Sequence, residues 1–184
     1  MQHDFIDDIY VSTDDEEIKT IALFYGAKVI DRPEDISGDF EPTVTALKHV
    51  IASINYVVEN VILLQPTNPL RPKELLNSAF KIFLKNNCNS LFTVSRNHHK
   101  LGNIENNVFK PFNYKLGQRS QDLEPLFYEN GLLYITKTDH IKKDEIITKD
   151  AYPMKVNHIF STVDIDTIDD FFYAEYIYNR YKNE

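Results

Sequence analysis

The eleven residues Val61-Ile62-Leu63-Leu64-Gln65-Pro66-Thr67-Asn68-Pro69-Leu70-Arg71 constrain the fold more than any other part of this 184-residue chain. Four consecutive apolar residues, two of them β-branched, read as a short strand buried on both faces. Pro66 and Pro69 lack an amide hydrogen and hold φ near one value, so neither strand nor helix continues through them. The pattern predicts a stiff loop at the carboxyl end of a central strand, the place where open α/β sheets bind ligands. Gln65, Thr67, Asn68 and Arg71 supply that loop with amide, hydroxyl and guanidinium groups, a set suited to a sugar, a base or a phosphate.

Strands and helices alternate around this stretch. Ile9–Ser12 reads as a strand, and Thr13 with Glu16 has capping-box spacing for a following helix. Ile18, Ile21, Ala22 and Tyr25 mark one helical face, Gly26 is the stop, and Ala27–Ile30 is the next strand. This is strand–helix–strand, the unit of a parallel sheet. Helices are predicted over Thr43–Tyr56, from Pro72 to about Lys85 and over Ile168–Tyr181. Further strands are predicted at Ser90–Ser95, at Gly131–Ile135 and within His158–Asp166. Residues 96–121 change texture: Asn, Lys and His dominate, and Asn107–Phe112 reads as a hairpin. That segment is expected to leave a single domain spanning residues 1–184 as an inserted arm.

Bulk properties narrow the function. A net charge of −8 counts against broad nucleic-acid binding, which needs a basic face. No apolar run approaches a bilayer-spanning length, and Met1-Gln2-His3-Asp4 carries no basic region leading into an apolar core. One cysteine, Cys88, excludes an internal disulfide and a Cys-based zinc site, and fits a reducing cytoplasm.

The other chemistry-bearing focus is Asp164-Ile165-Asp166. In an extended segment both carboxylates point to one side, an arrangement that suits Mg²⁺ completed by water and phosphate oxygens. The alternative is a helix cap, with Asp166 or Thr167 at the N-terminus and Asp169 and Asp170 in the first turn. Arg32, Arg71 and Arg119 sit in or after loops near strand ends; each is a ligand for carboxylate or phosphate, or a solvated surface residue. Asn130-Gly131 reads as a turn before a strand. His98 and His99 point to opposite faces if extended, so they do not share one metal.

Taken in order, several stretches resemble the acylneuraminate cytidylyltransferases, the synthetases of CMP-sialic, CMP-pseudaminic and CMP-legionaminic acids. They are Val11-Ser12-Thr13-Asp14-Asp15, Gly26-Ala27 with Arg32-Pro33, and Leu64-Gln65-Pro66-Thr67 followed by Pro69-Leu70-Arg71. Further on come Arg119-Ser120-Gln121-Asp122-Leu123, Asn130-Gly131 with Tyr134-Ile135, and Val163-Asp164-Ile165-Asp166-Thr167. The resemblance implies an α/β fold of three layers, nucleotide-diphospho-sugar-transferase-like, with a mostly parallel Rossmann-like sheet and a small dimerisation arm at residues 96–121. It implies transfer of CMP from CTP to a nonulosonic sugar by a cytoplasmic homodimer that uses Mg²⁺.

On that resemblance Arg32 and Thr67 lie at the CTP end of a cleft, and Gln65, Arg71, Asn130 and Gly131 face the sugar. Arg119 meets the sugar carboxylate, while Asp164 and Asp166 hold the metal. One departure stands out: the family begins with a strand and an Arg-, Ser-, Lys- and Gly-rich triphosphate loop, and this chain starts after both. The expectation is a sheet with either a gap or a new pairing of Ile9–Ser12 with Val61–Leu64, and impaired turnover. Two other readings remain at this stage: an inactive dimerising or sugar-nucleotide-binding remnant, and a different nucleotide-sugar enzyme such as an octulosonate cytidylyltransferase or an Asp-x-Asp glycosyltransferase.

Overall fold

The computed structural model describes residues 3–182. They form two compact units, each built from separated pieces of chain. The first takes the residues up to Leu63, then Glu74–Leu91 and Tyr134–Tyr152. The second takes Leu64–Lys73, Phe92–Leu133 and the residues from Pro153 onward.

The first unit begins with strand β1 (Tyr10–Thr13), helix α1 (Glu16–Phe24) and strand β2 (Lys28–Asp31). β1 and β2 run parallel, in register from Tyr10 opposite Lys28 to Thr13 opposite Asp31, as the strand–helix–strand pattern predicts. The helix starts at Asp15 rather than Thr13: Asp15 Oδ1 accepts the amides of Glu17 and Ile18, both at 2.8 Å. A carboxylate at that position meets two orphan N–H groups and the positive end of the helix at once, so it displaces the hydroxyl cap. Thr13 Oγ1 instead accepts the Asp15 amide at 3.1 Å. Gly26, at φ +83°, closes the helix in the left-handed region that glycine alone enters without cost.

Helix α2 (Thr43–Ser53), strand β3 (Asn60–Leu63) and helix α3 (Leu75–Lys85) follow. On α3 the residues Leu75, Ala79 and Phe83 are buried, one per turn, as its amphipathic spacing requires. On α2 no residue is fully buried. Strand β7 (Phe127–Lys137) sends its last residues into this unit, pairing antiparallel with β3 from Asn60 opposite Lys137 to Leu63 opposite Tyr134. It leads into the short helix α4 (Thr138–Ile141).

The sheets settle a question raised by the sequence. β1 pairs with β2 in a two-stranded sheet, whereas β3 is an edge of a four-stranded sheet of order β3-β7-β4-β8. Ile9–Ser12 therefore does not pair with Val61–Leu64. The central strand expected at Val61–Leu64 is consequently an edge strand, half-buried along its length, with Leu64 exposed.

Strand β4 (Ser90–Arg96) runs from the first unit into the second, and β8 (Tyr152–Lys155) also spans the division. The second unit contains the hairpin β5 (Gly102–Glu105) and β6 (Val108–Pro111), antiparallel and inside the segment expected to form an arm. Its apolar cluster is Phe160, Val163, Ala174 and Ile177, with Leu70, Ile159, Ile165 and Tyr181 against it. The strand predicted within His158–Asp166 is replaced by a 3₁₀ turn, Ile159–Thr162. His158 Nδ1 accepts the Phe160 amide at 3.1 Å and Ser161 Oγ donates to the His158 carbonyl at 2.8 Å, so local side chains satisfy the backbone in place of a ladder. Helix α5 (Ile168–Tyr181) is capped by Thr167 in a capping box with Asp170.

Candidate functional site

Three segments of the second unit are stitched together: the Gln65–Arg71 loop, the Asn130–Leu132 stretch of β7, and residues 163–166. The loop begins as a β-turn, with the Asn68 amide donating to the Gln65 carbonyl at 3.2 Å and Pro66 at the position whose fixed φ suits it. Arg71 then folds back inside it. Its Nε donates to the Leu132 carbonyl at 2.7 Å and its Nη2 to the Gln65 carbonyl at 2.9 Å. Burial pushes the guanidinium down, to about 10, so it stays charged at neutral pH. Arg71 thus clamps the loop to β7 with the donors that the sequence reading offered to a substrate.

Asn130 and Gly131 lie inside β7, not in a turn before it. Gly131 adopts φ +72° and kinks the strand. A Cβ there would stand 2.2 Å from Asn68 Oδ1 and 2.7 Å from Gln65 Oε1, so the glycine backbone is pressed against both loop side chains. Asn130 is buried, and its amide is used within the protein. Thr93 Oγ1 donates to Asn130 Oδ1 at 2.6 Å, and Asn130 Nδ2 donates to Ser95 Oγ at 2.9 Å. Ser95 and Ser161 continue the chain at 2.9 Å. A buried network of this kind fixes geometry because each member, left alone, would be an unsatisfied polar group.

The acidic segment is extended and joined to the loop twice. The Ile165 amide donates to the Thr67 carbonyl at 2.8 Å, and Asn68 Nδ2 donates to the Val163 carbonyl at 2.9 Å. Val163 and Ile165 face the apolar cluster, while Asp164 and Asp166 are exposed on the other side. The alternation predicted from the triplet is what the chain does. Since Thr167 caps α5, Asp166 is released from that role. Neither carboxylate is held by another described side chain or amide. Among the described residues no group of three or more His, Cys, Asp or Glu is arranged to hold an ion. Two exposed carboxylates are hard oxygen donors of the kind that could hold a divalent cation together with water and phosphate oxygens.

Arg119 sits at the start of the 3₁₀ turn Ser120–Asp122, largely exposed, and grips Asp122 through two N–H···O contacts of 2.8 and 3.0 Å. That bidentate pair raises the arginine above its ordinary value and shows a guanidinium fork matched to a carboxylate. Arg32 belongs to the first unit. It donates from Nη2 to Asp14 at 3.2 Å, holding that carboxyl below its usual range, and from Nε to Ser37 at 3.2 Å. A cavity of about 440 Å³ in the first unit, with Asn60, Phe83, Cys88 and Lys137 among its lining residues, includes none of the candidate site residues.

The structure thus gathers Gln65, Thr67, Arg71, Asn130, Gly131, Asp164 and Asp166 into one unit. Within that set Arg71 and Asn130 are engaged internally. The Thr67 hydroxyl donates to Asn68 Oδ1 at 3.5 Å and can still accept, and Gln65, Asp164 and Asp166 keep polar groups available. Sequence reasoning overlooked Thr93 and Ser95, although two hydroxyls alternating with apolar residues along Leu91–Ser95 were a usable sign of a buried polar partner.

The architecture is shared by proteins that build cytidine nucleotides. A CMP:2-keto-3-deoxy-manno-octonic acid synthetase complexed with CTP superposes with a TM-score of 0.67 at 12% identity, over 97% of this chain and 83% of the other. A 4-diphosphocytidyl-2C-methyl-D-erythritol synthase from Anaerococcus prevotii gives 0.65 at 14% identity, over 95% and 83%. The family model described as cytidylyltransferase matches residues 1–183, and the chain belongs to that family. Among its relatives, a pseudaminic acid cytidylyltransferase of Campylobacter jejuni is 30% identical over 94% of this chain and 78% of the relative. A CMP-N,N'-diacetyllegionaminic acid synthase of Legionella pneumophila is 31% identical over 91% and 76%. An N-acylneuraminate cytidylyltransferase of Streptococcus agalactiae is 30% identical over 91% of this chain but 41% of its own, longer length. No helix among the described residues is long and apolar enough to cross a membrane.

Proposed function

We propose that this chain transfers CMP from CTP to a nonulosonic, sialic-acid-like sugar. The observation that carries the reading is the double joint between the Gln65–Arg71 loop and the Asp164–Asp166 segment, which keeps sugar-type donors and metal-type acceptors in one unit. The names of the relatives supply the substrate class. In the reaction the anomeric hydroxyl oxygen of the sugar attacks the α-phosphorus of CTP. The bond from that phosphorus to the oxygen bridging to the β-phosphate breaks, pyrophosphate leaves, and the hydroxyl proton passes to solvent. Gln65 hydrogen-bonds the sugar, Thr67 and Arg32 the nucleotide, and Arg119 exchanges Asp122 for the sugar carboxylate. Arg71, Asn130 and Gly131 hold the frame behind these groups. Asp164 and Asp166 bind Mg²⁺, which supplies charge neutralisation to the phosphoryl oxygens.

The exposed apolar side chains of the arm segment, Ile104, Phe109, Phe112 and Leu116, support a homodimer formed through residues 96–121. A cytoplasmic setting fits the nucleotide substrate and the unpaired Cys88. The test is pyrophosphate release from CTP and Mg²⁺ with a panel of N-acetylneuraminic, pseudaminic and legionaminic acids and an octulosonic acid. Turnover is expected with a nine-carbon acid, and Asp164→Asn with Asp166→Asn is expected to lower it by roughly a hundredfold or more. Release with the octulosonic acid alone, or a double variant as active as the parent, overturns the reading.

A further inference from the structure

The loop and the acidic segment meet at one side chain that belongs to neither set of substrate or metal groups. Asn68 is 3% exposed, and three connections converge on it. Its backbone amide closes the turn onto the Gln65 carbonyl at 3.2 Å. Its Nδ2 donates to the Val163 carbonyl at 2.9 Å, one residue before Asp164. Its Oδ1 lies against Gly131 so closely that a Cβ on that residue would be 2.2 Å away. Because Pro66 and Pro69 flank it with no N–H of their own, few other backbone donors exist in this loop. The second joint, Ile165 N–H to the Thr67 carbonyl at 2.8 Å, leaves Asp164 between two fixed points.

We infer that Asn68 is a positioning residue for the cation: its amide sets the acidic segment against the proline-stiffened loop, so that Asp164 and Asp166 present their carboxylates in the register a divalent ion requires. This rests on the reading of those two aspartates as metal ligands. The side-chain chemistry is specific. Aspartate at this position has no donor for the Val163 carbonyl, and serine has a donor that falls short of it. Leucine fills the space and leaves that buried acceptor without this partner. Groups that orient metal ligands from behind matter for affinity although they do not touch the ion.

The test is paramagnetic broadening of backbone amide signals in the ¹⁵N-labelled full chain on titration with Mn²⁺, which reads weak binding without any turnover. In the parent, Asp164, Ile165 and Asp166 broaden. In Asn68→Ser the midpoint rises by roughly 10- to 100-fold, the usual range for loss of a group supporting a metal ligand. Ser90→Ala, which removes a buried hydroxyl bonded to Thr148 in the first unit, lowers the melting midpoint and leaves the Mn²⁺ midpoint unchanged. If Asn68→Ser does not fold, the unmodified chain decides. Binding that needs the closed joint also holds it closed, so saturating Mg²⁺ must slow exchange of the Ile165 amide. Broadening that survives in Asp164→Asn with Asp166→Asn overturns the metal reading and this inference with it. Broadening lost there but intact in Asn68→Ser, or equally weakened by Ser90→Ala, or an Ile165 amide indifferent to Mg²⁺, overturns the inference alone.

Discussion

The β1–α1–β2 segment and the loop–kink–acid assembly are stabilised in opposite ways. Between Tyr10 and Asp31 the buried residues are Thr13 and Ala22, and α1 leaves Ile18, Ile21, Leu23, Phe24 and Tyr25 largely in solvent. What shapes that segment is local: an aspartate cap, a glycine stop and a four-residue parallel pairing. In the assembly of the second unit, by contrast, Asn68, Asn130, Leu132 and Val163 are buried, and hydrogen bonds such as Arg71 to Leu132 and Asn68 to Val163 join residues 61 and 95 positions apart. Local rules tolerate substitution because each acts within a few residues. Non-local polar joints do not, since one altered side chain leaves buried groups on a distant segment without partners. The comparison assigns sensitivity to the loop–kink–acid assembly and tolerance to the β1–α1–β2 segment.

The severest test of that contrast is Gly131→Val. The residue must adopt φ +72° while its Cβ lies 2.2 Å from Asn68 Oδ1. Left-handed backbone costs an L-residue roughly 1–2 kcal/mol, and forced overpacking adds about 1–3 kcal/mol. Urea unfolding should show a loss of about 2–5 kcal/mol, with broadened signals for Gln65 and Asn68. A loss under about 1 kcal/mol would mean that the loop is not held against β7.

Asn130→Leu comes next. The substitution keeps the branching at Cγ and deprives the Thr93 and Ser95 hydroxyls of the amide that joins them. Thr93 keeps the Leu133 carbonyl and Ser95 keeps Ser161. What goes is a set of buried hydrogen bonds worth about 0.5–1.5 kcal/mol each, so a loss of about 1–3 kcal/mol is expected in the same assay. A near-neutral result would break the comparison by showing that water or a rearranged serine replaces the amide.

How far the sequence anticipated this follows from the range of each interaction. Gly26 as a stop and the outward alternation of Asp164 and Asp166 were legible, because each is set by neighbours within one turn or one strand repeat. Arg71 and Asn130 were read as substrate groups because a guanidinium or amide in a loop looks the same whether its partner is a ligand or a carbonyl 61 residues away. The edge position of β3 was not legible either. A run such as Val61–Leu64 reports apolar character, and the strand that covers its second edge is information from elsewhere. Likewise Thr13 lost the cap to Asp15, since spacing identifies candidates and the competition between a carboxylate and a hydroxyl decides among them.

A smaller effect is expected at the start of α5. Asp170 is held below its ordinary value of 3.8, chiefly by the Thr167 hydroxyl and then by the Thr167 and Asp166 amides. A carboxyl whose folded value is depressed binds fewer protons folded than unfolded. Its contribution is therefore complete above 3.8 and is lost as pH falls through the depressed value. A ¹³C carboxyl titration of Asp170 should give a midpoint below 3.8 that moves upward in Thr167→Val. An unmoved midpoint would place the cause outside the capping box. This cap is as local as the one on α1, so its loss should fray the first turn of α5 without disturbing the Thr67–Ile165 joint.

The smallest effect is predicted for Phe24→Ser. Phe24 is 82% exposed at the end of α1, and Tyr25 is its ring neighbour at 5.2 Å. With so little apolar surface removed from water, the change in stability should stay within about 0.5 kcal/mol, the usual range for surface substitutions. The measurement is a urea midpoint at two protein concentrations a hundredfold apart. If the variant instead loses more than about 1 kcal/mol at high concentration and nothing at low, α1 is covered in solution by another molecule. Its apolar face would then be stabilised by association, and the tolerance assigned to the β1–α1–β2 segment would hold for the isolated chain alone.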